Sequence, residues 1–417
     1  EKGLVTEAKI RQAAVRLFTC RYMLGIMEGS EYDEIPYTAV ECREHIEKAR
    51  EASEKSCVLL KNDGMLPLNK EKIKTLAVIG PNANSRQALI GNYHGTSSRY
   101  ITVLEGIQDE VGDDVRVLYA QGSHLFRNRE ENLGQPDDRI AEALAAAEAS
   151  DAVVLVVGLD ETLEGEEGDT GNAAASGDKL DLLLPESQRK LMDAVLAVKK
   201  PTVIVLMAGS AIDLGKAADD ANAVLLPWYP GARGGRSVAD ILFGRISPSG
   251  KLPLTFYHND QLALMPEFTD YSMKGRTYRY FEHEPLYPFG YGLSYTTFAY
   301  SSVKIAAETD DAYEVSMTVA NTGSRDGMEK VQVYASYTDS RTPTPLYQLC
   351  GVKAVSVKAG DTADVTVKVN KYWLKAVLAD GARVEPDGKL ELYVGGHQPD
   401  AKSAQLCGTE CTKIVIR

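Results

Sequence analysis

Between Gly158 and Asp169 the sequence reads Gly-Leu-Asp-Glu-Thr-Leu-Glu-Gly-Glu-Glu-Gly-Asp, which crowds the carboxyl groups of Asp160, Glu161, Glu164, Glu166, Glu167 and Asp169 into one segment. Neighbouring negative charge and desolvation can keep one such group protonated near neutral pH, which is what general-acid catalysis asks of a carboxylic acid. The chemistry that fits is protonation of a leaving oxygen, as in cleavage of a glycosidic bond. The same residues also read as a solvated acidic loop. A calcium loop fits less well, because the spacing departs from Asp-x-Asp-x-Asp-Gly. Spacing alone does not choose among the carboxylates.

Few other residue sets offer chemistry. The six cysteines (Cys20, Cys42, Cys57, Cys350, Cys407, Cys411) form no CxxC pair, and six histidines occur without HExxH, so neither a metal nor any other cofactor is expected. Cys407 and Cys411 could approach each other, but free buried thiols of a reducing compartment are the expectation. Ile79–Asn84 lacks both GxGxxG and GxxxxGK[ST], which argues against a nucleotide loop. A net charge of −13 argues against nucleic acid, whose backbone is bound through clustered Lys and Arg. With 44% hydrophobic and 25% charged residues over 417 positions, the chain can bury a sizeable core in two or three domains. Its longest apolar runs, Ala152–Gly158 and Thr202–Ala208, are far shorter than a membrane span, so no membrane partner is expected. Glu1–Ile10 has no secretory pattern, and a cytoplasmic location is the expectation.

The acidic segment follows one of several short apolar strands. Leu76–Gly80, Asp151–Gly158, Thr202–Gly209 and Ala223–Pro227 alternate with the helical stretches Ile140–Ala149 and Gln188–Val198. That pattern predicts a mainly parallel-sheet α/β sandwich domain, with chemistry on the loops at the C-terminal strand ends. Upstream, residues 1–25 read as one helix, with Val5, Ile10, Ala13, Ala14, Leu17 and Leu24 at helical spacing. A Pro/Gly/acidic linker, Glu28–Pro36, separates it from a second helix over Arg43–Ser56. From about Tyr300, alternation in Glu314–Ala320, Val331–Ala335, Ala363–Val369 and Leu390–Val394 predicts a small antiparallel β-sandwich.

The acidic segment resembles the acid/base loop of glycoside hydrolase family 3, the β-glucosidases and especially their β-xylosidase-like branch. Those carry Gly-Leu-Asp-x-(Ser/Thr)-(Ile/Leu)-Glu-x-Glu, then Asp-Arg and a Leu-rich run ending in Pro. Gly158–Glu166 matches the first half and Asp181–Gln188 the second. Val58–Leu68, Ala77–Ala83, Gly91–Gly95, Pro227–Gly235, Ser247–Phe256, Arg279–Phe281 and Tyr287–Phe298 resemble further family motifs in the family's order. The resemblance places the acid/base on Glu166, with Glu164 as runner-up and Glu167 behind both. Between the halves the chain departs from the pattern: Thr170 stands where Arg is expected, and a Gly/Ala-rich piece, Gly171–Gly177, precedes Asp178–Lys179, which could be the displaced Asp-Arg pair. Such an insertion could serve as a lid.

In the family, a retaining reaction uses an Asp nucleophile within a Ser-Asp-Trp-like motif on an N-terminal (β/α)8 barrel, where a Lys-His pair binds the sugar. Neither Trp228 nor Trp373 follows an Asp, so the nucleophile is expected to be absent from this chain. Ala14–Gly25 resembles the last barrel helix. The resemblance therefore implies a barrel remnant and linker (1–36), the α/β sandwich (37–298) and a fibronectin-III-like β-sandwich (299–417). It implies hydrolysis of small β-xylosides or β-glucosides, with this chain inactive unless joined to a barrel; a homodimer stays open. Tyr93 and His94 could line the sugar pocket, though both also read as structural. Trp228 reads as a sugar platform or as core. The alternative in a different class is a non-catalytic carbohydrate-binding or assembly module.

Overall fold

In a computed structural model, which describes residues 3–166 and 179–416, the chain divides near Ala49 into two units. The first holds helix α1 (Glu7–Met23), which Thr6 caps by accepting the Lys9 N–H at 3.3 Å. This matches the periodicity and the N-cap preference for Thr. The helix buries none of its residues, and Ile10, Val15, Leu17 and Phe18 are exposed. The linker forms two single 3-10 turns, Glu31–Glu34 and Tyr37–Ala39.

Helix α2 (Arg43–Ser56) leads into the second unit. Its first part runs β1 (Val58–Asn62), β2 (Thr75–Ile79), α3 (Gln87–Ile90), α4 (Val103–Val111), β3 (Arg116–Ala120), α5 (Ile140–Glu148), β4 (Ala152–Gly158), α6 (Glu186–Ala197), β5 (Thr202–Met207), α7 (Lys216–Asp220), β6 (Ala223–Leu226) and α8 (Gly234–Leu242). The sheet order is β1-β6-β5-β4-β2-β3. All pairs are parallel except β1 with β6, which is antiparallel at the edge. Sequence reading missed β3, whose Arg116 and Tyr119 interrupt the apolar run because it lies at the other edge.

Every residue of β4 and β5 is buried, which explains their unbroken apolar sequences. Val153, Leu155 and Val157 face one core with Ala143 of α5 and Leu191 of α6; Val154 and Val156 face the other with Ile107 of α4 and Val238 of α8. Each such side chain contributes about 1.5–3 kcal/mol through burial, so truncating Leu155 to Ala should cost about 2–5 kcal/mol.

After the short α9 (Thr277–Tyr280) the chain forms two facing antiparallel sheets. One contains β7 (Phe298–Glu308), β8 (Ala312–Asn321) and β11 (Thr362–Asn370) in the order β11-β8-β7. The other contains β9 (Gly327–Thr338), β10 (Gln348–Val357), β14 (Lys389–Gly395) and β15 (Thr412–Ile416) in the order β10-β9-β14-β15. The two-residue strands β12 (Ala376–Val377) and β13 (Arg383–Val384) pair separately, and α10 (Ala401–Cys407) precedes β15. Val315, Val333, Val367 and Leu392 share the inner core. The four alternating stretches became β8, β9, β11 and β14; β7, β10 and β15 were missed, their residues being almost all exposed or half-exposed.

Candidate active site

The acidic segment begins where β4 leaves the sheet. Gly158 has φ +151°, and a Cβ there would lie 1.8 Å from the Met207 carbonyl oxygen of β5, so only glycine fits. The fully buried Gln188 of α6 clamps this exit. Its Oε1 accepts the Gly158 N–H at 2.9 Å, and its Nε2 donates to the carbonyls of Gly158 and Leu125, both at 2.7 Å. Asn82, after β2, donates to the Leu159 carbonyl at 2.9 Å. Three buried polar contacts therefore fix the base of the loop.

Asp160 then organises a turn. Its backbone carbonyl accepts the N–H groups of Leu163 (3.0 Å) and Glu164 (2.9 Å), while Oδ1 accepts the Thr162 N–H (2.9 Å) and hydroxyl (2.6 Å). Local side-chain bonding of this kind is what Asp does at turns. Leu163 is buried as the turn's apolar foot.

Glu164 points back into the protein. Its carboxylate accepts the Gly209 N–H at 2.8 Å and the hydroxyls of Ser210 and Tyr229. Burial, then the adjacent Glu164 charge, pushes the Tyr229 phenol far above its ordinary value, so it stays a donor. Gly91 leaves room for that ring, since a Cβ there would lie 2.7 Å from Tyr229 Cδ2. Lys179 lies in the field of Glu164 and Asp181; its ammonium has no hydrogen-bond partner among the described residues, and burial lowers its pKa against those two charges.

Glu166 differs. It is exposed, and the Tyr93 hydroxyl donates to its Oε2. Tyr93 reaches it from the loop after α3, with φ +56°. His94 adds a second tie, with Nε2 3.0 Å from Glu161 Oε2 and Nδ1 3.0 Å from the Gly95 carbonyl. Acceptors face both ring nitrogens, an environment that favours the protonated form. Its pKa is raised, chiefly by the Gly95 carbonyl and then, against partial desolvation, by Glu161.

The arrangement thus brings Tyr93 and His94 to the acidic loop, as expected. Trp228 goes elsewhere. At φ +60° it turns its indole away, donating to the Ser56 carbonyl at 3.1 Å and packing edge-on against Phe256. Its neighbour Tyr229 takes the place at the loop. Of the two readings of Trp228, this packing is that of a core residue, and Tyr229 at the loop was not singled out from the sequence, because the backbone twist that separates the pair has no residue signature. Ser210 and Gln188 were also missed. Glu167, Asp169, Thr170, the Gly171–Gly177 piece and Asp178 lie outside the described residues. Among those described, no cluster of three or more His, Cys, Asp or Glu could hold a metal ion.

The arrangement can present a proton. One carboxylate is saturated by three donors and anchors the loop, while another two residues on is reachable from solvent beside a tyrosine hydroxyl.

Comparison with known proteins agrees with this geometry. Residues 57–295 match the glycosyl hydrolase family 3 C-terminal domain, and residues 329–398 a fibronectin type III-like domain. A periplasmic beta-glucosidase of Salmonella typhimurium is 34% identical over 95% of this chain and 55% of its own length. A beta-xylosidase of Formosa agariphila is 36% identical with the same two coverages. A solved exo-beta-xylosidase in complex with a xylobiose aziridine activity-based probe superposes with a TM-score of 0.84 at 28% identity, covering 100% of this chain and 54% of that one. The chain spans about half the length of the curated relatives it matches.

Proposed function

The chain belongs to glycosyl hydrolase family 3, and from that premise we propose that it supplies the acid/base wall of a retaining β-glycosidase site, with Glu166 as the proton donor. The observation that carries this assignment is the contrast at the loop: Glu164 already accepts three hydrogen bonds, whereas Glu166 is exposed and held by the Tyr93 hydroxyl. In this reading Glu166 gives its proton to the leaving oxygen while a nucleophile attacks the anomeric carbon from the opposite side. Glu166 then takes a proton from the water that releases the sugar. His94 holds Glu161 and steadies the rim.

The nucleophile comes from elsewhere. A retaining site needs its two carboxyl groups about 5–5.5 Å apart, on opposite faces of the sugar, and one loop cannot flank both faces. We infer that an Asp on an N-terminal (β/α)8 barrel supplies it; the names of relatives support β-xylosides or β-glucosides as substrates. The 417-residue chain alone, assayed on p-nitrophenyl xyloside and glucoside, is expected to turn over on the order of 10⁴-fold more slowly than a protein that also carries the barrel. Comparable rates would overturn the division of labour.

A further inference from the structure

A second concave site lies at the seam between the α/β part and the β-sandwich, on the other side of the Trp228–Tyr229 pair. It is a recess of about 310 Å³ whose lining includes Lys55, Trp228, Lys251, Lys330 and the apolar side chains of Leu252 and Val352. Six segments converge there: the end of α2, the loop after β6, residues 250–253, residues 289–290, β9 and β10. On β9, Lys330 and Gln332 are two residues apart and so share one face of the strand. Gln332 is buried and pins the seam, with Nε2 donating to the carbonyls of Gly290 (3.0 Å) and Gly396 (2.8 Å). The recess is therefore built on fixed backbone.

Its charge is one-sided. No Asp or Glu lines it, while three lysines do. Lys55 is paired with Glu51, and Lys251 donates to the Gly292 carbonyl at 2.8 Å with Glu329 4.0 Å away. The Lys330 ammonium is different: among the described residues it has no hydrogen-bond or ion-pair partner. Burial, then the like charges of Lys55 and Lys251, lowers its pKa against the opposing charge of Glu329. Removing an ammonium from water without a partner costs free energy, so a partly buried lysine favours an anionic partner. Two carbonyl groups at the nearby end of α2 are already occupied, that of Ser53 by the Cys57 N–H and that of Ser56 by the Trp228 indole. A small anion with an apolar body able to lie between Trp228, Leu252 and Val352 would complement this lining.

We propose that this recess binds a small ring-bearing carboxylate, its carboxylate taken by Lys330 and its ring lying against Trp228. An aromatic acid and a sugar acid share that chemistry. A ring against an indole gains from apolar and edge contacts, and a charge-assisted hydrogen bond to a lysine selects carboxylate over a neutral isostere.

Trp228 and Trp373 are the only tryptophans, so a Trp373→Phe background reports on Trp228 alone by fluorescence. In that background benzoate is titrated against benzamide, and glucuronate against glucose. At least one carboxylate is expected to quench saturably and at least about tenfold more tightly than its neutral counterpart, the worth of one charged hydrogen bond. Tighter benzoate identifies an aromatic acid, tighter glucuronate a sugar acid; both support the site. Lys330→Met should erase the preference and Lys330→Arg retain it, with folding checked by thermal unfolding. Val352→Glu, at a half-exposed rim position on the strand beside Lys330, should also abolish binding without touching the lysine. Equal binding of carboxylate and neutral isostere in both pairs, or full affinity in folded Lys330→Met or Val352→Glu, would overturn the proposal.

Discussion

Glu164 and Glu166 stand two residues apart on one loop and are held in opposite ways. Glu164 is turned inward onto Gly209, Ser210 and Tyr229, with the loop base behind it fixed by Gln188 and Asn82. Glu166 is turned outward, and the hydroxyl of the exposed Tyr93 donates to it. Under the proposed assignment, the difference teaches that an acid loop uses two kinds of carboxylate. One spends its acceptor capacity on holding backbone in place, so that the other can be presented to substrate with little reorganisation.

The largest expected effect separates the two directly. In a protein that also carries the barrel, Glu166→Gln should lower kcat/KM on substrates with poor leaving groups by about 10²–10⁴-fold, the usual worth of a general acid. Activated aryl glycosides should be far less affected at the glycosylation step, since their leaving groups need little protonation. Glu164→Gln should act mainly on stability, because an amide nitrogen would face groups that are themselves donors. Losing hydrogen bonds to a charged acceptor costs about 1.5–3 kcal/mol, visible as a lower unfolding midpoint of the chain. If unfolding is unchanged while activity collapses as in Glu166→Gln, the two roles have been assigned the wrong way round.

Smaller effects sharpen the contrast at the rim. Tyr93→Phe removes the hydroxyl on Glu166 from an exposed residue, so kcat/KM should fall by about three- to tenfold, the value of one hydrogen bond of roughly 1 kcal/mol, with the unfolding midpoint unmoved. The smallest effect concerns His94. Its raised folded-state pKa means that the protonated His94–Glu161 contact contributes below about 6.5, the ordinary histidine value. The contact is lost as pH rises through the folded value. An NMR titration should place His94 above an unperturbed histidine, and Glu161→Gln should bring it down; no movement would remove Glu161 as a partner.

Much of this was legible in the residues, and the parts that were not share a cause. The β4 and β5 runs announced a buried parallel sheet because all their side chains are covered. Arg116 and Tyr119 hid β3 because an edge strand keeps polar and half-exposed positions. At the site, the Gly-Leu-Asp-x-Thr-Leu-Glu-x-Glu pattern pointed to the loop, and the Gly91–Gly95 motif supplied Tyr93 and His94. The choice between Trp228 and Tyr229 was invisible, since a single φ of +60° at Trp228 decides which ring meets Glu164. Gln188 was invisible too, since its partners are backbone atoms of Leu125 and Gly158, far apart in sequence. Local pattern predicts elements; it does not predict which side chains elements exchange at their ends.

Chemical rescue tests the central claim most directly. With Glu166→Gln in the barrel-bearing protein and an activated aryl glycoside as substrate, added azide should restore turnover and yield the β-glycosyl azide, because a small anion needs no base to attack the glycosyl-enzyme. Glu164→Gln should show no such rescue. Azide product from Glu164→Gln, with none from Glu166→Gln, would contradict the assignment.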